Sequence, residues 1–253
     1  MLRPMKIDPW FRLIKAAPWE APFQLPTFQS HRGYHANGAQ ENTLPAFRAA
    51  RKLGAQMCEC DVRFNKDHIP VVFHDNDLKR ISGKDTQVSE MSLEELKQSA
   101  NVCTLEELLT DSEVPEIINI ELKSGEIDDP LPLAVARVIR STKSEHRVIL
   151  SSFNPFALWK SQRLLPEVPR ALLVTNIPHK DNRWWIKRMV LTPFLKIHML
   201  NLDEAMITEN VAEFWKKQGV PLAAWTVDDR QRGRELLGMG VSSLISDLKP
   251  SEI

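Results

Sequence analysis

Cysteine and net charge are both scarce in this chain, and each shortage excludes a class of protein. The 253 residues include three cysteines, too few and too odd in number for a disulfide framework and without the spacing of a zinc site. We therefore expect free thiols and a cytoplasmic location. The 33 Lys and Arg residues balance 33 Asp and Glu residues, so net charge gives no general attraction to nucleic acid or to an anionic membrane.

Long apolar runs and flexible linkers are also missing. No stretch of about 18 residues is free of charges and proline clusters, which argues against a membrane-spanning helix. Charged residues interrupt the first 26 positions, so we expect no signal peptide there. With nine glycines and no Gly/Ser-rich or Pro-rich segment, no internal boundary is marked. We predict an N-terminal arm (residues 1–26) followed by one domain (residues 27–253).

What the sequence does contain is a regular alternation of short apolar runs with longer amphipathic segments. This alternation predicts an α/β fold in which helices join parallel strands. The predicted strands cover residues 27–31, 57–64, 69–74, 116–122, 147–153, 170–174, 197–202, 222–227 and 243–246. The predicted helices cover residues 44–53, 93–98, 105–109, 133–139, 157–164, 184–191, 207–218 and 230–237.

The third predicted strand must run antiparallel to the second, because residues 65–68 are too few for a crossover, which needs about 10–12 residues. We predict a hairpin in which Lys66 and Asp67 form a two-residue turn, so that Asp61 lies opposite Val72. Eight parallel strands then remain. The predicted fold is a closed (β/α)8 TIM barrel, a single domain with a β-hairpin excursion after the second strand.

Three carboxylates are predicted to converge at the mouth of this barrel. A period of two puts Glu59 and Asp61 on one face of the second strand, and it aligns Glu121 with Lys123 in the fourth. Burying several carboxylates together is costly unless they are paired or bind a cation. Because oxygen donors suit a hard cation, we predict a site for one divalent cation, Mg²⁺ or Ca²⁺. The alternative is a set of strand-end salt bridges with nearby arginine and lysine side chains.

Two histidines are predicted to reach the same mouth, because His31 ends the first strand and His74 ends the hairpin. Two imidazoles beside a cation and an arginine suit phosphodiester cleavage, in which one group deprotonates the attacking oxygen and the other protonates the leaving alkoxide. The remaining histidines are interpreted as surface or loop residues: His35, His68, His146, His179 and His198.

Short motifs carry a further signal along nearly the whole chain. They are His31-Arg32-Gly33, Glu41-Asn42-Thr43-Leu44-Pro45-Ala46-Phe47, Glu59-Cys60-Asp61-Val62, Pro70-Val71-Val72-Phe73-His74-Asp75, Thr104-Leu105-Glu106-Glu107, Asn119-Ile120-Glu121-Leu122-Lys123, Ser151-Ser152-Phe153, Ala224-Trp225-Thr226-Val227 and Ile245-Ser246-Asp247. In this order they resemble the glycerophosphodiester phosphodiesterase family. The resemblance extends from about residue 31 to residue 250 and leaves the arm unmatched.

The resemblance implies roles for residues at the predicted mouth. The catalytic acid/base pair would be His31 and His74. The metal ligands would be Glu59, Asp61 and Glu121. The substrate-binding residues would be Arg32 and Lys123 on the phosphate and Trp225 against the glycerol or alcohol part.

The predicted function is metal-dependent hydrolysis of glycerophosphodiesters to sn-glycerol 3-phosphate and an alcohol, with either water or the substrate 2-hydroxyl as the nucleophile. An alternative keeps the site and takes lysophospholipids, as a lysophospholipase D. It is suggested by paired Trp184 and Trp185 with basic neighbours, although a helix packed on the outside of the barrel is the favoured explanation. An alternative of another class is a non-catalytic phosphodiester-binding barrel.

The predicted partner is a small-molecule glycerophosphodiester. Nucleic acid is not expected, because the sequence has no basic stripe with interleaved aromatic residues. Peripheral membrane contact through residues 182–191 or the arm is a less favoured alternative, and the arm could instead cap the barrel or contact a second subunit. The sequence leaves the oligomeric state open.

Overall fold

The computed structural model of the chain describes residues 4–177, 186 and 188–253. Within these residues the strands form one sheet. They are β1 (Phe28–His31), β2 (Met57–Phe64), β3 (Pro70–Val72), β4 (Cys103–Thr104), β5 (Ile117–Leu122), β6 (Val148–Ser152), β7 (Arg170–Val174), β8 (Met199–Asp203), β9 (Leu222–Trp225) and β10 (Ser243–Ser246).

Eight of these strands are parallel and close into a barrel. Their order is β1, β2, β5, β6, β7, β8, β9 and β10, and β10 pairs back to β1. The described helices on the outside are α1 (Leu44–Lys52), α2 (Lys79–Ser82), α3 (Leu93–Ala100), α4 (Leu105–Thr110), α5 (Leu131–Ser141), α6 (Pro155–Leu164), α7 (Glu209–Gln218) and α8 (Arg230–Gly238). The predicted (β/α)8 barrel is therefore confirmed.

Helix ends follow local sequence signals. Ser92 and Glu95 form a capping box at the start of α3, and Thr104 and Glu107 form another at the start of α4. In each box a side-chain oxygen satisfies a backbone N–H that the first turn of a helix leaves unpaired. Gly219 ends α7 in the left-handed conformation, with φ of 70°. Of the helix predicted over residues 184–191, positions 184, 185 and 187 lie outside the described residues.

The predicted hairpin exists, but its predicted register is wrong by one residue. Val62, not Asp61, pairs with Val72. The turn uses three residues instead of two, because the Asn65 side-chain carbonyl accepts hydrogen bonds from the backbone N–H of Asp67 (3.1 Å) and Ile69 (2.8 Å). His68 then adopts a left-handed conformation with φ of 56°. The shift makes the backbone of Phe73 the donor to the Asp61 carbonyl, at 2.9 Å.

The excursion is larger than a hairpin. The short strand β4, which was not predicted, pairs antiparallel with β3. Residues between β3 and β4 bury a small apolar core of their own that includes Phe73, Leu78, Val88 and Leu96. This core supports the segment that carries His74 at the barrel mouth.

The barrel interior contains one buried apolar layer. It consists of Met57, Ile117, Ile149, Ala171, Met199, Ala223 and Ile245. Trp19, Phe23 and Leu25 of the arm pack against this layer. Farther back in the arm, Phe11 stacks on Trp215 of α7, with ring centroids 5.6 Å apart. The sequence alone leaves three arrangements open for the arm: contact with a membrane, capping of the barrel and contact with a second subunit. The described residues show the arm packed against the bottom of the barrel.

The outward faces of the strands are apolar, as the period of two predicts. Cys58 and Cys60 are fully buried against the outer helices and are free thiols. Burial raises the pKa of both thiols well above its ordinary value, because it penalises the thiolate. No helix among the described residues is both long and apolar enough to cross a membrane.

His198 lies in the loop before β8, in agreement with the interpretation of the remaining histidines as surface or loop residues, but it is buried. It is 7% exposed, and its Nδ1 accepts a hydrogen bond of 3.0 Å from the backbone N–H of Arg170. Burial, helped by the positive charge of Arg170, lowers the pKa of His198 to about 4. His179 lies outside the described residues.

This burial predicts an acid-sensitive contribution to stability. An unfolded histidine titrates near pH 6.5, so between about pH 6.5 and pH 4 the unfolded chain binds a proton that folded His198 excludes. The free energy of unfolding should therefore fall by about 2–3 kcal/mol more in the wild type than in His198→Gln between pH 7.5 and 4.5. Urea unfolding at the two pH values measures the difference, with exposed His146→Gln as the control. Parallel pH profiles of wild type and His198→Gln would contradict it.

Candidate functional site

The three predicted carboxylates converge at the carboxyl end of the barrel. Glu59 and Asp61 lie on β2, and Glu121 on β5 is the register partner of Asp61. One oxygen of each carboxylate lies within 4.8 Å of the others, and all three side chains are buried. Three carboxylates with no nitrogen or sulfur donor form a set that suits a hard divalent cation. The cluster could therefore bind such an ion, as the strand pattern predicted.

Two basic side chains pair with this cluster. Lys123 Nζ lies 2.8 Å from Asp61 Oδ1 and 2.6 Å from Glu121 Oε1, and Arg32 Nε lies 3.1 Å from Asp61 Oδ2. The amide of Asn42 donates a further hydrogen bond of 2.8 Å to Asp61. The alternative of strand-end salt bridges is thus partly realised. Since three carboxylates meet two cations, the fully ionised cluster keeps an excess negative charge that a metal ion would compensate.

The carboxylates have unequal affinities for protons. Burial raises the pKa of Glu59 well above its usual range, and the negative charges of Asp61 and Glu121 act in the same direction. Burial also raises the pKa of Glu121. Burial opposes ionisation of Asp61 as well, but the positive charges of Lys123 and Arg32 outweigh it and hold the pKa of Asp61 below its ordinary value. Asp61 is therefore the ionised anchor of the cluster.

Each of the two predicted catalytic histidines has its own carboxylate partner. His31 Nδ1 lies 2.8 Å from Asp247 Oδ1, and His74 Nδ1 lies 2.8 Å from Asp75 Oδ1. A carboxylate on Nδ1 fixes the ring and leaves Nε2 available for proton transfer. Burial lowers the pKa of His74 to about 4, so this ring is neutral at pH 7 and can accept a proton.

The sequence interpretation gave no role to Asp75 or Asp247. Both follow directly on segments that end at the barrel mouth, and that position is the signal that could have identified them. Asp247 Oδ1 also forms a hydrogen bond of 3.2 Å with His35 Nε2, and this hydrogen bond raises the pKa of His35. His35 is thus a partner of the site and not a free surface residue. Arg80 holds Asp75 at 2.7 Å from the excursion side.

The backbone around Arg32 and Gly33 explains why this motif ends β1. Both residues are left-handed, with φ of 54° and 76°. A Cβ on Gly33 would lie 2.6 Å from the carbonyl carbon of Ala46, so only glycine fits where the chain turns under α1. The turn brings the Arg32 side chain back over the carboxylates. Glu41 accepts a hydrogen bond of 2.8 Å from Arg32 and also pairs with Arg80. Burial opposes ionisation of Glu41, but these two arginines outweigh it and lower the pKa of Glu41 to about 2.

All predicted site residues except Asp61 line one cavity of about 560 Å³, and Asp61 lies buried behind its ion pairs. The cavity has a charged side, formed by the histidines, carboxylates and basic groups, and an apolar side that includes Phe153, Leu173 and Trp225. Phe153 and Trp225 meet edge to face, with centroids 5.5 Å apart. A cavity of this size, lined by both charged groups and aromatic rings, suits a small amphipathic anion.

Residues 31–248 match the Glycerophosphoryl diester phosphodiesterase family. Among individual proteins, the chain is 28% identical over 232 residues to a glycerophosphodiester phosphodiesterase of Caldanaerobacter subterraneus subsp. tengcongensis. That alignment covers 86% of this chain and 92% of the relative. The family match therefore includes every predicted site residue.

Solved structures are similar over the same region. A phosphodiesterase of Oleispira antarctica, in complex with the product sn-glycerol-3-phosphate, superposes with a TM-score of 0.77 at 27% identity, covering 90% of this chain and 95% of that one. A glycerophosphodiester phosphodiesterase from Thermotoga maritima superposes with a TM-score of 0.69 at 27% identity, covering 89% and 96%.

The unequal carboxylates predict unequal mutational costs in metal-free protein. Asp61→Asn removes the buried carboxylate that pairs with the half-buried Arg32 and Lys123, so we expect a loss of about 3–5 kcal/mol of unfolding free energy. Burial and the like charges of Asp61 and Glu121 raise the pKa of Glu59 and so oppose its ionisation, and we expect the smaller loss, below about 1 kcal/mol, in Glu59→Gln. Urea unfolding in EDTA measures both. Equal losses in the two variants would contradict the assignment of Asp61 as the anchor.

Proposed function

Because the chain belongs to the glycerophosphoryl diester phosphodiesterase family, we propose that it hydrolyses glycerophosphodiesters to sn-glycerol 3-phosphate and an alcohol. The observation that carries the proposal is the meeting of a three-carboxylate cluster with two histidine–carboxylate pairs in one cavity. A cation site and two proton-transfer groups are the parts that phosphodiester cleavage requires.

Glu59, Asp61 and Glu121 would hold one divalent cation, Mg²⁺ or Ca²⁺. When bound, the ion would neutralise negative charge on the phosphoryl group. Arg32 and Lys123 would contribute positive charge to the same group. Both already lie against the carboxylates, so their heads are fixed at the edge of the cavity before substrate arrives.

His31 and His74 would divide the proton transfers between them. The lowered pKa of His74 keeps its ring unprotonated, the state in which it would take the proton of the attacking oxygen. His31 would then protonate the leaving alkoxide, with Asp247 orienting its ring through Nδ1. Trp225 and Phe153 would pack against the carbon skeleton of the substrate, since their rings line the same cavity as the charged groups.

The domain organisation and the location belong to the same proposal. Residues 27–253 would form the catalytic barrel, and the arm of residues 1–26 would stabilise it from below, which is supported by the packing of Trp19 and Phe23 on the interior layer. A cytoplasmic location is supported by the three buried free cysteines. The lysophospholipid alternative was suggested by residues 182–191, of which 182–185 and 187 lie outside the described residues.

The direct test is release of sn-glycerol 3-phosphate from glycerophosphoethanolamine by the purified protein. We expect no release in EDTA and restored release when Mg²⁺ or Ca²⁺ is added back, because without the ion that the three carboxylates would hold, the negative charge of the phosphoryl group is not neutralised. Glu59→Gln serves as the paired variant, in which the metal should no longer restore activity. Absence of release with either metal would overturn the proposed function.

Removal of either histidine should reduce turnover without unfolding the protein. We expect His31→Ala and His74→Ala to lower kcat by about 10²–10⁴-fold, since each removes a proton-transfer group. Exposed His146→Gln is the matched control and should keep wild-type turnover. Steady-state kinetics with thermal unfolding of each variant checks the prediction. If turnover in either alanine variant stayed within a few-fold of wild type, the proton-transfer role assigned to that histidine would be wrong.

A further inference from the structure

Beside the charged groups, the lumen of the barrel carries a set of polar side chains that the proposed reaction does not use. Asn119 on β5, Ser151 on β6 and Asn201 on β8 are each at most 1% exposed, yet all three line the catalytic cavity. In the described part of the chain, Asn119 Oδ1, Ser151 Oγ and both amide atoms of Asn201 have no hydrogen-bond partner. Buried polar atoms are almost always paired, so this concentration at one place needs an explanation.

A hydrogen-bond chain fixes which way Asn119 presents its amide. The Pro26 carbonyl can only accept, and it takes the hydroxyl proton of Ser243 at 2.7 Å. Ser243 therefore accepts from Gln29 Nε2 at 3.0 Å, which leaves Gln29 Oε1 to accept from Asn119 Nδ2 at 3.0 Å. The remaining atom, Asn119 Oδ1, is left as an acceptor without a donor.

These atoms lie next to the proposed reaction centre. Asn119 is the register partner of Glu59, and Ser151 is the register partner of Glu121. Asn201 lies on β8, where its backbone carbonyl accepts a hydrogen bond of 3.0 Å from the indole of Trp225. The unpaired atoms thus extend from the carboxylate cluster toward the aromatic wall, at the depth where one half of a bound diester would lie.

We propose that Asn119, Ser151 and Asn201 form a hydroxyl-binding subsite that recognises the glyceryl half of the diester, a proposal that rests on the proposed function. Asn119 Oδ1 would accept a hydroxyl proton, Asn201 can both donate and accept, and Ser151 can do either. A glyceryl group brings two hydroxyls, each with one donor and acceptor capacity. Leu173, which lines the cavity beside them, would contact its carbon atoms. The leaving alcohol would then face the open mouth.

Recognition by paired polar groups predicts discrimination against a substrate that lacks one hydroxyl, because the subsite atoms would then stay unpaired. The probe is 2-hydroxypropyl phosphoethanolamine, which lacks the terminal hydroxyl of glycerophosphoethanolamine and keeps the 2-hydroxyl. We expect wild-type kcat/KM to favour the glyceryl substrate by about 10–100-fold. In Ser151→Ala and in Asn201→Leu this preference should fall toward one. Ser141→Ala, on the exposed face of α5, is the matched control and should keep it.

A binding measurement separates recognition from chemistry. Calorimetric titration with sn-glycerol 3-phosphate and with its analogue lacking the terminal hydroxyl should show the same preference in the wild type and its loss in Ser151→Ala. A wild-type preference near one, with metal-dependent glycerol 3-phosphate release intact, would overturn the subsite and leave the proposed function standing. A preference that persists in both variants would also overturn it. Absence of metal-dependent release from either substrate would overturn the function and the subsite together.

Discussion

Asp61 is the residue on which the arrangement of the site depends. It is fully buried, and it is held by Arg32, by Lys123 and by the amide of Asn42. A buried carboxylate is tolerated only when the attraction of its partners exceeds the cost of desolvation. Here two cations are drawn to one anion, and the ends of β1, β2 and β5 are fixed relative to one another by that attraction. The remaining carboxylates of the cluster are then close enough for a shared cation.

A second ring of contacts fixes the groups that would transfer protons. Glu41 binds both Arg32 and Arg80, and Arg80 in turn holds Asp75 against His74. The site is thereby connected to the excursion through alternating charges. Because each member has a partner of opposite sign, the positions of the histidine rings are set before substrate binds, which is the condition for efficient electrostatic catalysis.

The lumen of the barrel combines three kinds of side chain. Apolar residues on which the arm packs, neutral amides and hydroxyls, and the charged groups of the carboxylate cluster all face it. Asn119 is the register partner of Glu59 and Ser151 is the register partner of Glu121, so neutral polar groups lie directly beside the charges. Asn201 and the Gln29–Ser243 hydrogen bond lie outside the motifs by which the sequence resembles its family.

Sequence alone determined the strand faces, the barrel class and the members of the carboxylate cluster, since these follow from a period of two and from loop lengths, which are local properties. It also predicted that His31 and His74 reach the barrel mouth, and both line the cavity there. The tertiary structure decided what depends on distant residues or on side-chain competition. The side-chain hydrogen bonds of Asn65 set the register of the hairpin. His31 pairs with Asp247, which lies 216 residues away in the sequence. Burial in the folded protein lowers the pKa of His74. The polar side chains of the lumen come together only when the barrel closes, because desolvation and long-range pairing exist only in the folded chain.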